Sequence, residues 1–183
     1  MTHQFYNHDF FVPTWDIKYL FLGTFNPSEG EKVNYFYSRK TNLLWPTLSK
    51  IFRDELNPNN LDFFKKLKTH QIGCMDLIES IEISNTDKSF IIGKGYSDSK
   101  IINNSLKRNY NTENIKSVIN KNPEVQLYST WGNGSNLIDW KNEIKKFPPV
   151  TKLVSPSRAA RVPKGESKEL FILHNWKKNI VFE

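Results

Sequence analysis

The feature that constrains this chain most is an alternation of short apolar runs with amphipathic runs, with glycine-, proline- and amide-rich loops after the strand-like ones. Residues 18–23, KYLFLG, read as a buried strand stopping at a glycine. Residues 42–55 read as a helix with Pro46 in its first turn, where a missing N–H costs nothing. Residues 60–68 read as a short amphipathic helix capped by Asn60. Residues 72–78 form an apolar strand or extended wall, and 84–100 is polar and turn-rich. Residues 112–121 carry apolar positions at helical spacing behind a cap at Thr112. Strand 125–130, helix 135–146, strand 150–155 and helix 166–178 complete the order. This alternation predicts an α/β fold: a three-layer α/β/α sandwich around a central, mostly parallel four-stranded sheet. No internal repeat or long linker interrupts it, so the expectation is one domain, residues 1–183.

Open parallel sheets bind ligands beyond the carboxyl ends of their strands. Three unusual loops fall there: GTFNPSEG (23–30), TWGNGSN (130–136) and SPSRAAR (155–161). Their convergence on one edge would make one site. Several chemistries are excluded. GTFNPSEG lacks the Gly-Lys-Ser/Thr ending of a phosphate loop, GKGYSDS lacks the third glycine of a dinucleotide site, and no G-x-S-x-G elbow occurs. The four histidines, His3, His8, His70 and His174, have no metal-ligand spacing, and a single cysteine, Cys74, rules out an internal disulfide or a cysteine-ligated zinc or cluster. No metal or organic cofactor is therefore expected.

What remains in the loops is Asn, Ser, Gly and aromatics. Amides carry both donor and acceptor and can read a base edge or hold a water without adding charge. Aromatic faces, 14% of the chain, can pack in a core or stack on bases. Arg158 and Arg161 flank the last loop and could meet phosphates. Of the net charge of +7, residues 141–183 contribute +6, with ten Lys and Arg against four Glu, so a polyanion is the natural partner. MTHQFYNHDF has neither the basic nor the apolar region of a signal peptide, and the apolar runs are too short to span a bilayer. The expectation is a soluble, cytoplasmic monomer with no membrane partner.

At the level of motifs the chain resembles the uracil-DNA glycosylase superfamily, nearest its hypoxanthine-DNA glycosylase and mismatch-specific branches. LFLGTFNPSEG resembles the first motif, and FYSRKTNLLWPTL resembles the aromatic-aromatic…Asn…Trp stretch, with Phe36, Tyr37, Asn42 and Trp45 at matching spacing. IGCMDLIES, GKGYSDSKI and the Asn133-Gly134 pair follow in order, and SPSRAAR resembles the DNA-inserting second motif. The resemblance covers roughly residues 19–161. It implies hydrolysis of the N-glycosidic bond of a flipped, deaminated base in DNA containing damaged or mismatched bases, as the start of base-excision repair. Asn26 and Asn42 would hold the water. Thr24, Phe25, Tyr35, Phe36 and Asn133 would form the base pocket, Phe25 by stacking and Asn133 by reading the base edge. Asp76 and Asp98 would orient neighbours, and Ser155, Ser157, Arg158 and Arg161 would hold the DNA.

The departures are specific. Asn26 stands between Phe25 and Pro27 where the hypoxanthine-type branch has none, Lys40 replaces a usual proline, and SPSRAAR has no histidine to stabilise a leaving base anion. Structural roles stand beside the functional ones: an Asn-Pro turn for Asn26, a helix cap for Asn42, core packing for the aromatics and an Asn-Gly turn for Asn133. A non-catalytic nucleic-acid-binding protein on the same scaffold is the alternative.

Overall fold

The computed structural model describes residues 1–92, 101, 106–131, 138–157 and 160–180. Twelve elements follow in chain order among them: β1 (Tyr19–Gly23), α1 (Leu44–Phe52), α2 (Phe63–Thr69), β2 (Ile72–Asp76), β3 (Ile78–Ile81), α3 (Lys88–Ile92), β4 (Arg108–Tyr110), α4 (Thr112–Lys121), β5 (Gln126–Ser129), α5 (Ile138–Ile144), β6 (Val150–Lys152) and α6 (Lys168–Asn179). Strands β2, β1, β5 and β6 lie side by side in that order in one four-stranded sheet, and every pairing is parallel.

Strand β1 lies inside this sheet and is buried at all five positions, which is why it reads as a continuous apolar run rather than an alternating one. Its side chains still divide by parity. Phe21 stacks on Tyr128 of β5 and on Trp176 of α6, with centroids 5.3 and 5.8 Å apart, in the core shared with α1 and α2. Leu20 and Leu22 join Leu127, Ile115 and Val118 of α4, and Trp140 of α5 in a second core. Helices thus cover the sheet on both faces, and the three-layer α/β/α architecture holds.

Local details differ from the sequence reading where long-range partners intervene. The apolar run 72–78 is two strands: β2 stays in the main sheet, whereas β3 turns away and pairs antiparallel with β4. The cap position of α4 is Asn111, not Thr112, whose hydroxyl instead donates to the buried Glu143 carboxylate of α5. At α2 the cap position is Asp62, while Asn60 accepts the Phe63 N–H through its carbonyl and donates its amide to Glu55 at 3.3 Å. Strand β6 keeps only three residues of the expected six.

The N-terminal segment had no expected role and has a definite place. Thr2 bridges Ser80 and His3 bridges Pro27, both antiparallel, so residues 2 and 3 lie between β3 and the loop after β1. His3 N–H donates to Glu79 O at 2.7 Å, Gln4 N–H to Asn26 O at 2.7 Å, and Ser28 N–H to Thr2 O at 2.9 Å. This strap runs along the edge where the parallel strands end.

Candidate functional site

The order β2-β1-β5-β6 places the reversal of connectivity between β1 and β5. A crevice forms beyond the strand ends at such a point, because successive connections leave in opposite directions. Here β1 ends at Gly23, β5 runs out into Ser129-Thr130-Trp131, and β2 contributes Asp76 beside them.

Gly23 is required by space rather than by backbone freedom, since its φ is not among the positive ones. A Cβ there would lie 2.1 Å from Asp76 Oδ1 and 2.4 Å from the Tyr37 hydroxyl. Carboxylate and phenol therefore crowd onto the end of β1. Tyr37 reaches this position with φ at 58°, left-handed backbone uncommon for an aromatic residue and of the kind that gathers at functional sites. Its hydroxyl shares a hydrogen bond with Thr130 Oγ1 at 2.8 Å, and the same Oγ1 reaches Leu22 O at 3.2 Å, tying the loop after β1 to the end of β5.

Asp76 is 5% exposed, and among the described residues its side chain is held by His3. His3 Nε2 lies 2.8 Å from Asp76 Oδ2. His3 Nδ1 accepts the Phe5 N–H at 3.1 Å, which places the ring proton on Nε2 and makes His3 the donor. The imidazole is walled by Phe5, Phe11, Phe25 and Phe36. Behind Asp76, its backbone carbonyl accepts from Asn111 Nδ2 at 3.2 Å. With Oδ2 fixed, Oδ1 is the oxygen turned over Gly23.

Asn26 is oriented through a relay. The Val33 carbonyl can only accept, so Gln4 gives it Nε2–H at 3.1 Å and turns Oε1 the other way. Asn26 Nδ2 donates to that Oε1 at 2.9 Å, leaving Asn26 Oδ1 with no partner among the described residues. Asn42 is fixed in the opposite sense. Its Oδ1 accepts the Leu44 N–H at 2.9 Å, at the first turn of α1, and its Nδ2 is the group without a partner among the described residues. The cap position of α1 is Leu43, with no side-chain cap, so Asn42 is not the expected cap: it stands one residue earlier and its oxygen holds the turn that leads into the helix. The next residue joins the third loop: Leu43 N–H donates to Pro156 O at 2.9 Å. In that loop Ser155 Oγ lies 3.1 Å from Ser157 Oγ and accepts the Ser157 N–H.

Of the remaining expected residues, Thr24 is half-buried at the end of β1, with its carbonyl accepting from Ile78 N–H, and Arg161 is exposed. Three aromatics are corrected. Phe25, Tyr35 and Phe36 are 3%, 0% and 2% exposed, packed among other side chains, so they form the wall behind the site and offer no open face for a base. Tyr37 is the half-buried aromatic at the strand ends instead. Burial, and then the neighbouring Cys74, pushes the Tyr35 hydroxyl well above its ordinary range. Burial, and then Asp76, does the same to the Cys74 thiol, leaving it an inert core group. Asn133, Arg158 and Asp98 lie outside the described residues.

His3 and Gln4 are the site residues that sequence reasoning missed, and it gave Asp76 only a supporting role. No local signal pointed to the pair His3–Asp76, whose members are 73 residues apart. Among the described residues no group of three or more His, Cys, Asp and Glu side chains is arranged to hold a metal ion, and no helix is long and apolar enough to cross a membrane. Comparison of the sequence with protein-family models gave no match, and comparison with curated proteins gave none either.

Proposed function

We propose that this protein is a DNA N-glycosylase that removes a deaminated base, uracil or hypoxanthine, from DNA as a cytoplasmic monomer, without metal or organic cofactor. The observation that carries the reading is the Asp76 carboxylate fixed over Gly23 at the strand ends. A carboxylate accepts hydrogen bonds and cannot donate them. Deamination of cytosine or adenine turns a ring nitrogen from a lone-pair acceptor into an N–H donor. An acceptor-only group therefore favours the deaminated base over its parent, provided the nucleotide is flipped out of the duplex. The motif resemblance and the basic C-terminal quarter support the same reading.

In the reaction, a water held by Asn26 Oδ1 attacks C1′ of the sugar. The glycosidic C–N bond breaks and its electron pair goes to the base nitrogen, which takes a proton from solvent as the attacking water loses one. An amide is a poor base, so Asn26 orients the water, and catalysis rests on placement and on stabilising charge on the leaving base. Asn42 Nδ2 supplies a donor from the same connecting loop. Ser155, Ser157 and the exposed Arg161 and Lys164 would meet the phosphates.

Oligonucleotides carrying uracil, hypoxanthine or xanthine, single-stranded and in mismatched duplexes, followed by alkaline cleavage of abasic sites, test this directly. Excision of at least one deaminated base is expected, with affinity falling steeply as salt rises. No abasic product at high enzyme excess refutes the enzyme. Salt-sensitive DNA binding without product would establish the non-catalytic alternative.

A further inference from the structure

We infer that the N-terminal strap is a positioning device for the site, in which Gln4 turns Asn26 oxygen-first toward the reaction space and His3 aims Asp76. The inference rests on the glycosylase reading for its consequence and on geometry for its substance. Consecutive residues of one segment hold the two acceptors proposed to act on water and on base, through bonds of 2.9 Å (Gln4–Asn26) and 2.8 Å (His3–Asp76). Each acts through a side chain whose sense is fixed from behind. Gln4 is locked by the acceptor-only Val33 carbonyl and His3 by the donor-only Phe5 N–H. The strap's own backbone is pinned on both sides, by His3 N–H to Glu79 O and Gln4 N–H to Asn26 O.

This chain of constraint carries direction. An asparagine in a loop can show either end of its amide, and the two ends have opposite chemistry. Reversing Asn26 would set two acceptor oxygens, Asn26 Oδ1 and Gln4 Oε1, against each other. Reversing both amides would set Gln4 Oε1 against Val33 O. One amide sense satisfies all three groups, and it leaves the Asn26 oxygen outward. Gln4 is thus a positioning residue without any part in contacting substrate, and it matters because misplacing a reacting group by about 1 Å can cost on the order of a hundredfold in rate.

Gln4→Met keeps the length and removes the polar end. The test compares the parent, Gln4→Met, Asn26→Ala and the double variant by single-turnover excision, substrate affinity and thermal midpoint. Gln4→Met is expected to slow the single-turnover step about tenfold with affinity within twofold. In the Asn26→Ala background it should add less than twofold, because a residue acting through Asn26 has nothing left to act on. Full multiplication of the two losses overturns the inference, as does a Gln4→Met rate equal to the parent when Asn26→Ala is slow. A second readout is independent of activity. The one Asn26 side-chain amide proton donated to Gln4 Oε1 should be protected from solvent exchange in the parent and lose that protection in Gln4→Met. An unprotected proton there in the parent would refute the orientation, whereas absence of abasic product with the proton protected would refute only the glycosylase reading.

Discussion

Gly23→Ala is the sharpest single perturbation of the site, because one methyl group strikes two of its members. The added Cβ would sit 2.1 Å from Asp76 Oδ1 and 2.4 Å from the Tyr37 hydroxyl, far inside van der Waals contact. The β1 backbone cannot yield: it is hydrogen-bonded to β2 on one side and β5 on the other and buried throughout. The side chains must move instead. Moving Asp76 breaks the buried bond from His3, a hydrogen bond to a charged group that contributes about 1.5–3 kcal/mol. Moving Tyr37 breaks its bond to Thr130, which contributes about 0.5–1.5 kcal/mol. Against this, alanine regains about 0.5–1 kcal/mol over glycine within a strand. The balance is a destabilisation of about 1–4 kcal/mol, a sizeable part of the roughly 5–15 kcal/mol that holds a domain folded. Urea unfolding followed by tryptophan fluorescence measures it: the midpoint should fall with the slope unchanged. Excision should fall with it, since the Asp76 carboxylate is displaced. A change below about 0.5 kcal/mol with full activity would show that the end of β1 is roomier than these distances allow.

Two further substitutions follow from the electrostatics. Asp76→Asn lets the new amide accept from His3 through its oxygen and turns a donor toward the ligand, so excision of uracil and hypoxanthine should drop roughly five- to 150-fold, the loss expected for about 1–3 kcal/mol of mismatched hydrogen bonding; unchanged selectivity would remove Asp76 from base recognition. Away from the site, hydrogen bonds from Lys66 and then His70 hold the Asp54 carboxyl below its ordinary range, so its contribution is present above the unfolded value near pH 4 and is lost as the pH falls through the depressed folded value. Thermal midpoints of Asp54→Asn should therefore lie below the parent at pH 7 and converge on it in acid, and a gap that persists at pH 2 would contradict the assignment.

The fold was legible because its determinants are local. KYLFLG, VQLYST and VTKLVS carry the apolar content of parallel strands, and the amphipathic runs between them leave few ways to cover both faces. Topology alone sends the loops after β1 and β6 to the same edge of the sheet, and a bond from Leu43 N–H to Pro156 O links the start of α1 to the latter, whereas residues 132–137 of the third expected loop lie outside the described residues. The aromatic assignment failed because periodicity cannot tell a wall from a lining. Tyr35 and Tyr37 are two residues apart, and only the left-handed turn at Tyr37 decides which one faces the strand ends. The strap was illegible for a deeper reason. MTHQFYNHDF has no regular period, and its value lies in meeting Glu79, Asn26 and Asp76, contacts that exist only once the sheet has formed.

Local backbone also breaks the apparent equivalence of the two candidate asparagines, and this gives a prediction in which structure and function separate. In Asn42 the oxygen is committed to the Leu44 N–H, so the amide nitrogen is what the side chain offers; in Asn26 the nitrogen is committed and the oxygen is offered. Asn42→Asp preserves the committed oxygen and replaces the offered donor by an acceptor. Stability should stay within about 0.5 kcal/mol of the parent, since an Asp carboxylate accepts the Leu44 N–H as the amide oxygen does, whereas Asn42→Ala loses that bond and should cost about 0.5–1.5 kcal/mol. Excision should fall in both variants, because both lose the donor, and fall at least as far in Asn42→Asp, whose carboxylate repels developing negative charge on a leaving base or a phosphate nearby. Single-turnover rates paired with urea midpoints read the two effects apart. An Asn42→Asp enzyme as active as the parent would mean that the nitrogen takes no part and that Asn42 only holds the turn before α1; a slow enzyme with an unmoved midpoint would mean that one amide serves the turn with its oxygen and the reaction with its nitrogen.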